Sequence, residues 1–328
     1  MIHYLPIENI EQRYTKLMND IVYPYCNYIY YPDNFNEVEI KKGQFLDIER
    51  TIQFKAKQIE LVSVAFQEGK VNNGDWFLVG DIYFPGIESI KYMAELQNIN
   101  IKIAGFNYAG RADENDFVRR LQSWSDYTEK GYHAVCDKIF VGSNYHKKNV
   151  EEYFKLPNDK VIVTGYVWDI DKAKEIYPWT DKKEEFVIWP HRICKEKGFD
   201  EFISIAIDFP EYQYVITSSS KINSHVHLPK NVEYIYGLSK KEYYEYMSKA
   251  KYYLSTAYQE TFGYTLREAM MYDCRIAVPD RACYKEMVPF INRYTEISEI
   301  PAIFNLEPLE EFKLDFNNNI KKIIKHLV

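Results

Sequence analysis

Short apolar runs alternate with helix-patterned stretches along almost the whole chain, and that alternation is the strongest constraint on its fold. In the first half, strand-like runs at residues 1–6, 28–31, 76–79, 101–106, 138–141 and 161–163 are separated by helical spacing at 10–21, 44–69, 87–96 and 115–135. In the last of these helices Phe117, Leu121 and Trp124 recur on one face. Strands joined through helices pair in parallel and need cover on both faces. The stretch 168–183 is polar, carries Pro178 and breaks the rhythm, which marks an interdomain linker. The pattern then restarts, with strands at 186–189, 212–216, 232–236, 252–255 and 276–278 and helices at 200–207, 240–247 and 264–271. A last helix is expected over 314–328. The expected architecture is α/β: two Rossmann-like, doubly wound domains facing across a cleft. Their expected ranges are residues 1–167 and 168–328, with the terminal helix counted in the second domain and packing back. A length of 328 residues suits two domains.

Composition narrows the functional classes. Hydrophobic residues at 46% and charged residues at 27% are globular values. No apolar run approaches the roughly 18 residues of a membrane helix. The N-terminus lacks a basic segment followed by an apolar one, so neither integral membrane association nor a signal peptide is expected, and the expected location is cytoplasmic. The five cysteines, Cys26, Cys136, Cys194, Cys274 and Cys283, form no CxxC pair, which disfavours a disulfide framework or a zinc site. A net charge of -7 disfavours broad coating of nucleic acid but leaves room for a local basic groove. No GxGxxG or P-loop pattern appears, and Ser143 has no nucleophile-elbow context.

Open parallel sheets bind ligands beyond the carboxyl ends of their strands, so post-strand loops are the places to look. Two stand out. After Trp189-Pro190 comes a loop with His191, Arg192, Lys195 and Lys197, a cationic cluster suited to a diphosphate or to plain solvent. After Leu254-Ser255 comes a loop with Glu260 and Gly263, then a helix from Tyr264 with Glu268 one turn in. Gly263 permits close approach of the backbone, and the helix start is an anion seat. A carboxylate beside such a seat suits neutral hydroxyls. Together the features suit a sugar nucleotide, with an anion in the middle and hydroxyls at either end.

The segment resembles the retaining glycosyltransferases of the GT-B fold. These carry an Arg and a Lys about five apart and two glutamates with seven residues between them around a Phe-Gly, here Arg192 with Lys197-Gly198 and Glu260 with Glu268 around Phe262-Gly263. The similarity runs over about residues 186–286. Within the family it looks closest to the tRNA-queuosine mannosyltransferase type, through Trp189-Pro190-His191-Arg192 and Leu254-Ser255-Thr256-Ala257, and it is similar also to phage DNA-modifying glycosyltransferases. The resemblance implies that Arg192 and Lys197 hold the diphosphate. It implies that Glu260 bonds sugar hydroxyls and Glu268 the ribose. Phe262, Gly263, Tyr264 and Thr265 would contact sugar and phosphate through the backbone, and Tyr236-Gly237 would border the base. The implied donor is a nucleotide sugar, a UDP-sugar first, with no required metal.

This chain also departs from the family. Asp273 stands where the family has Gly, so a different turn is expected before Ile276. The post-strand segment Phe106-Asn107-Tyr108-Ala109-Gly110 has no acceptor-side His. Acceptor-side candidates are Asp81, Tyr108, Arg111 and Asp113, with Asp113 and Asp116 both open to a helix-capping role. Expected acceptors are a hydroxymethylated pyrimidine in DNA or a modified tRNA base, resting on the resemblance, on an AT-rich, virus-like composition and on Arg111, Arg119, Arg120, Lys147 and Lys148. Alternatives are a lipid or polysaccharide acceptor, prompted by the basic terminal segment 320–327, or a non-catalytic nucleotide-sugar-binding module. Asp169-Ile170-Asp171 spells a DxD metal motif inside the expected linker, and His225 and His227 lack further ligands.

Overall fold

The computed structural model describes residues 1–10, 13–35, 47–219, 221–222, 225–309 and 319–328. Contacts divide it into two units, the first running to Trp168 and regaining the C-terminal segment, the second beginning at Asp169.

In the first unit β1 (Ile2–Leu5), β2 (Tyr28–Ile29), β3 (Trp76–Val79), β4 (Lys102–Phe106), β5 (Lys138–Val141) and β6 (Val161–Val163) form one sheet in the order β2-β1-β3-β4-β5-β6. Every described pairing is parallel. The strands read as continuous apolar runs because helices cover both faces; all four residues of β1 and of β3 are buried. The core includes Leu5, Phe77, Val79, Ile103, Ile139 and Val141.

The second unit repeats the plan with β7 (Glu184–Trp189), β8 (Gln213–Ser218), β9 (Val232–Tyr236), β10 (Ala250–Leu254), β11 (Arg275–Pro279) and β12 (Arg293–Tyr294). Its parallel sheet runs β12-β11-β10-β7-β8-β9 around a core that includes Trp189, Phe202, Tyr214, Leu254 and Ala277.

Three expectations are corrected. The supposed linker holds a helix, Ile170–Ile176, whose Asp169 cap accepts from the Lys172 amide at 3.0 Å and whose Ile170 and Ala173 are buried. Trp168 is buried as well. Two inward side chains suffice to dock a short helix that polar composition conceals.

The expected helix at 115–135 is broken. A 3-10 turn, Phe117–Arg120, is capped by Asp116, Leu121 is extended, and the α-helix is Trp124–Val135. Phe117, Leu121 and Trp124 are exposed, while Ser125, Glu129 and His133 turn inward. The inward stripe is polar, so a hydrophobic count selects the wrong face.

The terminal helix is Ile320–Lys325, and residues 314–318 lie outside the described ones. It belongs with the first unit, not the second. Ile320, Ile323 and Leu327 are buried, Asn319 donates to the Tyr166 carbonyl at 2.9 Å, and Lys138 donates to the His326 carbonyl at 2.6 Å. Its apolar face is spent on protein, which removes the reason for reading it as a membrane-surface helix. No helix among the described residues is long and apolar enough to cross a membrane.

Candidate functional site

In the second sheet the chain starts at β7, moves outward through β8 and β9, and returns to the other side of β7 as β10. The loops after β7 and β10 therefore flank the topological switch point, where open α/β sheets leave a crevice.

The two loops are fastened together. The Trp189 indole N–H donates to Thr256 Oγ1 at 3.0 Å, and that hydroxyl donates to the Lys197 carbonyl at 2.8 Å. The Tyr258 amide donates to the Glu196 carbonyl at 2.9 Å. Gly198 sits at φ +68°, and a Cβ there would lie 2.1 Å from the Thr256 carbonyl oxygen, so a side chain is excluded by both conformation and space.

This fastening brings Lys197 Nζ to 3.1 Å from Glu260 Oε2 and 3.2 Å from the Gln259 carbonyl. Burial alone would raise the Glu260 carboxyl. Lys197 and the Gly263 amide outweigh it and hold that group below the usual range. Glu260 is thus a carboxylate with a cation beside it. Arg192 pairs with Glu196 in the same loop and stays partly open to solvent. His191 is buried against the rings of Trp189 and Tyr253. Burial, then Lys197 and Arg192, push its imidazole down to about 3, so it is neutral at physiological pH.

The helix Tyr264–Met271 begins at Gly263, which has φ +71° and leaves the helix without a side-chain cap. Its first turn presents the positive end of the helix dipole. Phe262 is buried, edge-on to Tyr264 and under the Arg267 guanidinium, and so anchors the loop. Thr265 Oγ1 lies 2.9 Å from the Tyr253 hydroxyl.

Glu268 differs from its motif partner. Its carboxylate is almost wholly covered. It accepts from Lys240 Nζ at 3.0 Å, the Tyr243 hydroxyl at 2.5 Å and the Tyr244 hydroxyl at 2.7 Å. Lys240 also rests 4.9 Å and 4.5 Å from those two ring centroids. Sequence reasoning missed this cage. The signal for its first half is local: Ser239 and Glu242 form a capping box that fixes the helix Lys240–Lys249 and its first turn. The meeting with Glu268 is long-range and carries no sequence signal. Tyr236 and Gly237 close β9, the edge strand, two strands from β7.

The turn expected to differ at Asp273 keeps a glycine-like form. Asp273 has φ +57°, and the Cys274 and Asp273 amides donate to the Ala269 and Met270 carbonyls at 3.0 and 3.2 Å. Aspartate is among the few side chains that enter this region at modest cost.

In the first unit the acceptor-side candidates lie after β3 and β4. Asp81 accepts from the Tyr83 amide at 3.0 Å and pairs with Lys55 at 3.4 Å. Tyr108 donates to Met18 Sδ at 2.9 Å. The Arg111 guanidinium donates to Ser125 Oγ at 2.7 Å and to the Val118 and Leu121 carbonyls. Its backbone N–H points at the Glu129 carboxylate, 3.1 Å from each oxygen. Asp113 is buried, 3.8 Å from His146 Nε2, and Asp116, not Asp113, is the cap. Arg111 is therefore a structural tie rather than an open cation, and Arg119 likewise covers the Tyr153 ring. The missed residues here are His133 and His146. The first meets Asn107 Nδ2 at 3.0 Å, and the second meets the Tyr166 hydroxyl at 3.0 Å.

Asp169 of the DxD triplet is the cap already described. His227 Nδ1 faces the His225 carbonyl at 3.2 Å in an exposed segment. Among the described residues no group of three or more His, Cys, Asp or Glu is placed to hold a metal ion.

Residues 169–289, within the second unit, match the family model described as glycosyl transferases group 1. Among curated proteins, none matches the sequence. HepE of Anabaena, solved in complex with UDP and glucose, is similar at a TM-score of 0.67 and 11% identity, over 99% of this chain and 98% of that one. A sucrose-phosphate synthase from Thermosynechococcus elongatus is similar at 0.64 and 10%, over 99% and 94%. A GtfA/B complex is similar at 0.55 and 14%; the match covers 82% of this chain but spans only 60% of that one. These likenesses establish the fold as GT-B.

Proposed function

We propose that the chain is a retaining glycosyltransferase that moves a sugar from a nucleotide diphosphate donor, a UDP-sugar first, to a hydroxyl on a modified nucleic-acid base. The observation that carries the reading is the meeting of Lys197 and Glu260 at 3.1 Å at the sheet's switch point, beside an uncapped helix start. Transfer breaks the bond between the anomeric carbon and the phosphate, so negative charge grows on the departing diphosphate. Lys197, Arg192 and the first turn of Tyr264–Met271 supply donors for that charge, each worth about 2.7–4 kcal/mol when preorganised. Glu260, kept ionised, accepts from sugar hydroxyls. In a same-face reaction the departing phosphate takes the acceptor's proton, so no protein nucleophile is required.

For Glu268 to hold the ribose, Lys240 must yield one of its contacts, since the carboxylate is covered in its present arrangement. The acceptor is assigned to the first unit. Trp124 and Tyr127 are 57% and 75% exposed, and Arg120, close by in the sequence, is exposed too, residue types suited to stacking on bases and pairing with a phosphate. The choice of a hydroxymethylated pyrimidine or a modified tRNA base rests on the sequence resemblance.

The test is a panel of nucleotide sugars against hydroxymethylated DNA, tRNA and simple glycosides, read by mass, with the anomeric configuration of the product read by NMR. One added hexose or pentose on a nucleic acid, with retained configuration, is the expected result. Neither transfer nor hydrolysis to free nucleotide with any donor would sink the reading. Binding to the nucleic-acid acceptor should weaken steeply with salt.

A further inference from the structure

His191 is the one ring of the β7 loop that the resemblance leaves without a role. It is about 5% exposed, and its Nε2 is buried with no hydrogen-bond partner among the described residues. A buried, unpartnered polar atom is costly in a folded protein and marks either an imperfection or a partner that arrives later. Its surroundings favour the second. The ring stands at the carboxyl end of β7, edge-on to Trp189 and to Tyr253 of β10, so it lies where the two fastened loops meet. The charged groups near enough to act on the ring are Lys197, Glu260 and Arg192, the residues assigned to the donor.

We propose that His191 is a further donor-site residue, whose Nε2 hydrogen-bonds a hydroxyl of the transferred sugar. This rests on the reading that the second unit holds a nucleotide sugar between its two loops. A hydroxyl is the fitting partner for two reasons. The diphosphate already has two cations at hand, to which a neutral ring adds no charge. A hydroxyl both donates and accepts, so either tautomer of the imidazole is served.

The experiment uses the whole chain and two probes, UDP and the UDP-sugar that the wild type turns over fastest in the panel. His191→Phe keeps the ring packing and removes both nitrogens. His191→Gln returns a polar atom close to the Nε2 position, and His191→Asn returns one close to Nδ1. UDP should bind the Phe variant within about twofold of wild type, while the UDP-sugar binds about tenfold more weakly, the loss expected for one neutral hydrogen bond. Gln should recover most of that loss and Asn little of it. The melting temperature of the Phe variant should hold or rise, because the unpartnered atom is gone. The proposal falls if the Phe variant matches wild type with the UDP-sugar, if UDP weakens as much as the UDP-sugar, or if Gln fails to rescue. A wild type that binds no UDP overturns the donor-site reading, and this proposal with it. Normal UDP binding with an indifferent Phe variant overturns this proposal alone.

Discussion

The two units share a plan, yet their switch points are finished in opposite ways. In the first unit the crevice lies between β1 and β3, and the chain fills it with itself. The Gly80 amide donates to the Leu5 carbonyl at 2.8 Å, and a Cβ at Gly80 would lie 2.7 Å from the Ile7 nitrogen. Glu8 is buried against Arg50 at 3.1 Å, and Gln58 donates to the Pro6 carbonyl at 2.9 Å. In the second unit the equivalent loops bring together Lys197, Glu260 and a ring nitrogen with no hydrogen-bond partner among the described residues. A doubly wound sheet offers a crevice in both units. Whether it binds anything depends on whether the loop side chains have already satisfied one another.

The contrast recurs inside the motif, and the largest expected effect tests it there. Glu268 is covered by three side-chain donors, whereas Glu260 has one lysine side chain, the Thr261 and Gly263 amides and some solvent. Glu268→Gln strands Lys240 and should destabilise the second unit by about 3 kcal/mol, the scale of a broken buried pair. Glu260→Gln should cost about 1 kcal/mol in stability and most of the turnover. Equal losses of stability in chemical denaturation would break the distinction.

Next in size is Lys197→Ala. It should lower kcat by about a hundredfold to a thousandfold, as loss of a preorganised donor to developing charge does, while the protein still folds cooperatively. Normal turnover would remove Lys197 from the chemistry.

The first unit has its own test, in pH. Burial holds Glu129 up at about 7, and holds His133 and His146 down at about 4 and about 3. Between its ordinary 4.5 and about 7, folded Glu129 keeps a proton that the unfolded chain has released, so its contribution to stability falls as pH rises. The histidines act the other way. Below their ordinary 6.5 the unfolded chain takes up protons that the folded rings refuse, so stability falls as pH drops. Between about pH 4.5 and 6.5 the two rings outweigh the one carboxyl, so stability of the first unit should rise with pH to a plateau near pH 7. Glu129→Gln should steepen that rise, though Glu8, also raised by burial, still opposes it. An unchanged slope, followed by denaturant titration, would exclude Glu129 from the pH response.

The smallest effect concerns Asp273. Asp273→Gly should stabilise the second unit by about 0.5 kcal/mol, since relief of a left-handed aspartate is offset by a more flexible unfolded chain. A loss of stability would show that the aspartate side chain matters more than its backbone angle.

The same contrast explains what was legible in the sequence. Strand positions were readable because parallel strands buried on both faces are continuous apolar runs, as at Trp76–Val79. The loops after β7 and β10 were readable because their chemistry sits in short contiguous stretches. The helix Trp124–Val135 was misread because its inward face carries Ser125, Glu129 and His133, satisfied by groups distant in sequence. The Glu268 cage and the Arg111 tie were invisible for the same reason. A side chain consumed by a long-range contact looks, in one dimension, like one that is free to act.

Gly198 carries a consequence for anyone who would re-engineer the protein. Because the backbone after β7 touches the backbone after β10 with no room for a methyl group, the two segments behave as one rivetted piece. Neither can be transplanted alone from a relative with a different sugar preference. A chimaera that imports one segment and keeps its native mate should misfit at Thr256, whereas exchange of both together preserves the joint.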